Sequence, residues 1–194
     1  MSRRRSLLMV TVLAIAVGAS AVLLTGCSVS IGGDKKGGTY SDHGVSLKVP
    51  DGWHWSNKAT YQAEAGKSLW SEGFGPGSGK NIVIVTAYAT KVAITSANAE
   101  RYASAVSSTI EGLIQAASGT VNSGPIITTM GGMTGYRFET SVPGDGGKTL
   151  DAELVMVWNG KTEYFVNCQL EAGSSSGAEI VRGCKTIVST FKLS

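Results

Sequence analysis

From Tyr40 onward, apolar and polar positions alternate along the chain, and twice the alternation gives way to a helical stripe. Val45, Leu47 and Val49 mark a short strand, and Pro50-Asp51-Gly52 after it reads as a turn. Gly73 to Lys80 (GFGPGSGK) reads as a loop. Asn81 to Ala89 (NIVIVTAYA) is apolar at both parities, the pattern of a central strand covered on both faces. Residues 96–117 change period: Tyr102, Val106, Ile110, Leu113, Ile114 and Ala117 fall on one side of a helix. Thr95 or Ser96 is placed to cap its start, and Gly119 sits beyond its end. Strand texture returns at Pro125–Thr129, then at Thr134, Tyr136, Phe138, Thr140 and Val142. A turn at 143–147 leads to Leu150, Ala152, Leu154, Met156 and Trp158. Asn159-Gly160 then predicts a hairpin, because both residues tolerate positive φ. The returning strand, Thr162 to Leu170, puts Tyr164, Val166, Cys168 and Leu170 on one side. A last helix over about 178–191 aligns Ile180, Val181, Cys184, Ile187, Val188 and Phe191. Successive hairpins make an antiparallel sheet, and two amphipathic helices must bury their stripes on it. The expectation is an α+β fold, a single domain over 40–194 in which an antiparallel β-sheet is flanked by helices.

The first 39 residues are built differently. Ser2 to Ser6 is a basic head carrying Arg3, Arg4 and Arg5; Leu7 to Leu24 is uncharged; Leu24-Thr25-Gly26-Cys27 closes the run. A basic head, an apolar stretch and small residues before a cut make a secretory signal. The tetrapeptide resembles the lipobox of bacterial lipoproteins at all four positions. That resemblance implies a signal peptide over 1–26, cleavage after Gly26 and a lipid thioether on Cys27. Two or three acyl chains hold a protein stably to a bilayer, where one holds it marginally. The alternative is an uncleaved anchor, since Leu7 to Gly26 is 20 residues and long enough to span. Gly18, Ser20 and Thr25 weaken such a span, and it leaves Cys27 unexplained. Either way the arginines stay inside and the rest of the chain lies outside the cytoplasm. Residues 27–39, rich in glycine and without apolar period, read as a lipidated flexible tether.

Charge narrows the partners. Lys and Arg number 17 against 14 Asp and Glu, a net charge of +3, and the three arginines of the head supply all of it. A nucleic-acid partner therefore has no basic excess to rest on. Beyond Cys27, two cysteines remain. Cys168 and Cys184 lie on the apolar faces of a strand and of the helix that follows. In an oxidising compartment an even count favours a disulfide between them, closing a loop of about 15 residues; two buried thiols are the alternative. No metal or cofactor is indicated: no histidine follows His54, and no tight Cys or His pair has ligand spacing.

Catalytic motifs are incomplete. Gly173 to Gly177 matches G-x-S-x-G around Ser175, but such an elbow needs a later histidine, and His43 and His54 both precede it. The segment reads as a Ser/Gly loop whose last polar residues cap a helix. Gly73 to Lys80 departs from the phosphate-loop pattern at Phe74 and Asn81. Glu139, Asp151 and Glu153, facing Arg137, Lys148 and Lys161, read as a solvated polar sheet face rather than an acid–base pair. His43 and His54 read as exposed loop residues. No catalytic residue is assigned, and the chain is expected not to be an enzyme. Trp53 and Trp55 follow a turn, where such a pair either paves a groove or plugs the end of a sheet. Trp53 is expected inward; Trp55 is the candidate for a binding surface.

The run Tyr40 to Trp53 (YSDHGVSLKVPDGW) resembles the opening of PsbP-like domains, with a short strand, a Pro and a Gly-Trp turn. The long helix, the hairpins and a final helix ending in Thr190-Phe191 fit the same plan. With a lipobox ahead of it, the chain is similar to the LpqN type of actinobacterial lipoprotein. The resemblance implies an α/β/α sandwich in a non-enzymatic accessory or binding role, among relatives that bind protein partners. The expected function is a membrane-anchored extracytoplasmic binding or scaffold module for an envelope protein. The alternative is a carrier or sensor of a small apolar or glycan ligand. A pocket of a few hundred Å³ beside the sheet favours the second, and a flat apolar patch the first.

Overall fold

The computed structural model describes residues 36–56, 68–77 and 79–194; the signal segment and Cys27 lie outside the described residues. Ten elements follow one another: β1 (Lys36–Asp42), β2 (Val45–Ser56), β3 (Ser68–Gly75), β4 (Ile82–Ile94), α1 (Ala103–Ala116), β5 (Thr120–Met130), β6 (Met133–Pro143), β7 (Thr149–Glu171), α2 (Gly177–Thr190) and β8 (Lys192–Leu193). A short 3-10 turn, Ala99–Tyr102, leads into α1. The strands form one antiparallel sheet in the order β1-β2-β3-β4-β7-β6-β5, with β8 added beside β2.

The 23 extended residues of β7 turn back on themselves. Ala172 N donates to Thr149 O at 2.8 Å, and Lys148 pairs with Glu171, so the two ends of the run meet. The first arm pairs with β6 through Thr149–Val157 and the second with β4 through Gly160–Gln169. Side-chain parity agrees. Leu154, Met156 and Trp158 belong to one core and Tyr164, Val166 and Cys168 to the other, a reversal that an unbroken strand cannot make. The expected hairpin at Asn159-Gly160 is therefore present, although only Gly160 takes positive φ, at 62°.

The sheet separates two cores. On one face Val45, Leu47, Trp53, Phe74, Val83, Val85 and Val166 meet α2 through Ile180, Cys184 and Ile187, with Phe191 just past its end. On the other, Tyr136, Phe138, Leu150, Leu154, Met156 and Phe165 meet α1 through Val106, Ile110 and Ile114. β4 is buried on both sides from Ile82 to Ala87, as its two-parity apolar run requires.

Several expectations are corrected. Lys36–Thr39 is strand and not tether, because an edge strand needs only backbone partners: Gly38 and Thr39 pair with Val49 and Lys48. Pro50-Asp51-Gly52 does not end the strand; it is a bulge inside β2, where the partner of Lys36 jumps to His54. Gly73 and Gly75 are strand and not loop, flanking a fully buried Phe74 that pairs with Val83. Neither Thr95 nor Ser96 caps α1: Ser96 Oγ accepts from Thr134 N, and Thr95 N donates to Asn98 Oδ1. At the other end of α1 the left-handed position falls on Ser118, at φ 58°. Gly119 is required for room, since a Cβ there would lie 2.6 Å from Ser141 O.

Candidate functional site

α2 lies mainly over β2 and β7 and covers β5 only sparsely, leaving a margin on this face of the sheet. A cleft of about 500 Å³ opens at this margin. One wall is apolar: Leu170, Ile180, Val181 and the Cys168–Cys184 disulfide, whose Cα atoms are 5.8 Å apart. Val181, expected inside the helix stripe, is instead 42% exposed at this wall.

The other wall is ionic, because the alternation of β6 and β7 sends Tyr136, Phe138, Leu154 and Met156 to the α1 side and the intervening residues here. Glu139 stands directly opposite Glu153 across the ladder, a like-charge pairing that costs stability. Arg137 offsets it, with Nη1 3.6 Å from Glu153 Oε2. Ser141 Oγ donates to Asp151 Oδ1 at 2.6 Å while accepting from Asn122 Nδ2 at 2.7 Å. Cys184 Sγ lies 3.7 Å from Glu153 Oε1, a contact without a hydrogen bond because an oxidised sulfur carries no proton. Among the described lining residues, Arg137 and Lys185 face Glu139, Asp151 and Glu153, one net negative charge. Glu139 is exposed and Asp151 and Glu153 are half-buried, so the polar sheet face stays solvated, as expected, at the rim of the cleft. Of the expected basic neighbours Arg137 alone reaches them; Lys148 is held by Glu171.

With this geometry in hand, comparison with known proteins has a reference. No protein-family model matches the chain, and no curated protein matches it. The solution structure of cyanobacterial PsbP (CyanoP) from Synechocystis sp. PCC 6803 superposes with a TM-score of 0.52 at 16% identity, covering 85% of this chain and 98% of that one. The fold is PsbP-like. A Bacteroides thetaiotaomicron VPI-5482 protein superposes with a TM-score of 0.52 at 12% identity over 82% of this chain and 49% of that one, so the chain spans about half its length. LpqN of Mycobacterium tuberculosis, described as involved in cell envelope biogenesis, gives a TM-score of 0.46 at 13% identity, over 82% and 91% of the two chains. At these identities the likeness is one of architecture.

The PsbP-like frame places the remaining candidates elsewhere. Trp53 is buried under α2, its Nε1 donating to Glu179 Oε1 at 2.9 Å. Trp55 packs edge-on against Tyr40, ring centroids 6.2 Å apart, and does not line the cleft. Ser174 and Ser176 face Asn81, whose Nδ2 donates to Ser174 Oγ at 2.8 Å and Ser176 Oγ at 3.0 Å; Ser176 does not cap α2 with its side chain. His54 lies within β2 and His43 at the β1–β2 turn, stacked on Trp70, so neither is a free loop residue. Among the described residues no group of His, Cys, Asp and Glu is set to hold a metal, and no helix is long and apolar enough to cross a membrane. Sequence reading found the acids and the cysteines of the cleft, but not that α2 would make them two sides of one hollow.

Proposed function

We propose that this chain is an extracytoplasmic binding module, held to the cell membrane through lipid on Cys27, whose cleft beside α2 receives part of an envelope protein. The cleft carries the reading: about 500 Å³, within the range of recognition pockets, with one apolar and one ionic wall. Its occupant presents an apolar portion to Leu170, Ile180 and Val181, and a positively charged group to Glu139 and Asp151. Arg137 beside Glu153 and Ser141 on Asp151 already engage two of the three acids, which supports a binding role for this wall. A small ligand of the same chemistry is the second reading, favoured by the cleft's volume. A glycan is not favoured, because no aromatic ring lines the cleft for it to stack on.

A photo-crosslinking residue at Val181 of the full-length protein in intact cells tests this. The expected result is an adduct with an envelope protein, lost on Glu139→Lys. A small molecule recovered with the purified protein, without a protein adduct, would move the assignment to the carrier. A chain that yields neither would overturn both.

A further inference from the structure

The β1–β2 turn gathers titratable and aromatic side chains that the cleft does not use. His43 sits at φ 51°, a left-handed conformation uncommon outside glycine. Its backbone N–H donates to Asp42 Oδ1 at 2.7 Å. Its ring lies flat on Trp70 of β3, centroids 5.1 Å apart and planes 11° apart. Nε2 is 3.7 Å from Glu72 Oε1, and Nδ1 is 3.9 Å from Asp42 Oδ1.

Glu72 is what makes this arrangement informative. It is 4% exposed, and its Oε2 has no well-formed hydrogen-bond partner. Burial first, and then Asp42, hold the Glu72 carboxyl above its ordinary range, while His43 and, less strongly, the Tyr40 hydroxyl pull it down. A buried carboxylate without a cation is costly. Among the described residues, His43 is the group placed to supply that cation. Of the other groups acting on Glu72, Asp42 is of the wrong sign and the Tyr40 hydroxyl is neutral.

We propose that His43 is a proton-operated latch: as imidazolium it is held between the face of Trp70 and the Glu72 carboxylate and fastens the β1–β2 turn to β3, and as the neutral ring it lets that turn loosen. The stacked ring gains from cation–π attraction and the carboxylate from a counter-ion, and both gains vanish with the proton. Histidine side chains change charge between about pH 5 and 8, so the latch closes on the acidic side of neutrality. It stays closed down to the pH at which Glu72 itself takes up a proton.

The test uses the full chain. Hydrogen exchange of the β1 amides, corrected for intrinsic rates, is expected to quicken about three-fold as His43 deprotonates in the native chain. His43→Gln should abolish that step and leave only the Glu72 titration at lower pH. Glu72→Gln and Trp70→Leu are each expected to shrink that step, and a step unchanged in both would overturn the latch. So would an exchange step that survives in His43→Gln.

Discussion

Gly183 lies in the middle of α2, where glycine weakens a helix by roughly 1 kcal/mol relative to alanine. Its reason lies on another element: a Cβ at this position would sit 2.0 Å from the indole of Trp53. Gly183→Ala must displace the helix or the ring. The expected loss is about 1–3 kcal/mol, read as a lower urea midpoint at unchanged m-value. Glu163 is a second single-residue test. It is fully buried, accepts from Trp158 Nε1 at 2.9 Å through Oε2, and leaves Oε1 without a partner. Burial pushes its carboxyl from the ordinary 4.5 up to about 7. A raised acid favours the fold while it is protonated. That stability is complete below pH 4.5 and is lost as pH rises through about 7. Glu163→Gln keeps an acceptor for Trp158 and carries no charge at any pH. The variant is expected to match the native chain near pH 4 and to exceed it at pH 8 by up to about 3 kcal/mol, by chemical denaturation at the two pH values.

At the scale of elements, the disulfide ties α2 to the second arm of β7 across a sequence separation of 16. The double substitution Cys168→Ala, Cys184→Ala is expected to cost about 3 kcal/mol and to lower the thermal midpoint of the non-reduced protein. It also removes part of the apolar wall, so the Val181 adduct should weaken with it. Elements with a strong period were legible in the sequence: both helix stripes, the doubly buried β4, and the strand residues that face each core. Elements held by backbone alone were not. Lys36–Thr39 pairs through its peptide groups and carries little apolar signal; Gly73 and Gly75 have no side chain to report a strand. Ser96 looked like a cap because local rules favour it, yet its hydroxyl serves Thr134 across 38 residues. The cleft was half legible. Alternation along β6 and β7 places the charges on one face, but where α2 crosses that face is decided by packing. The Trp53–Gly183 fit, which no local pattern announces, is part of that packing.

For the whole molecule, the anchor is the expectation with the widest consequence. Cys27→Ala is expected to leave the chain unprocessed or free of the membrane, by cell fractionation and intact mass. Normal processing and membrane retention in that variant would remove the lipid from the account. The PsbP-like sheet also has a practical bearing. Among the described residues its two cores share a backbone but not one side chain. The solvent side of α1, where Ser108 and Gln115 are exposed, therefore backs onto the wall opposite the cleft. A fluorophore attached there rides on the rigid body without touching whatever enters beside α2. Its tumbling would report the size of a captured partner in a living envelope.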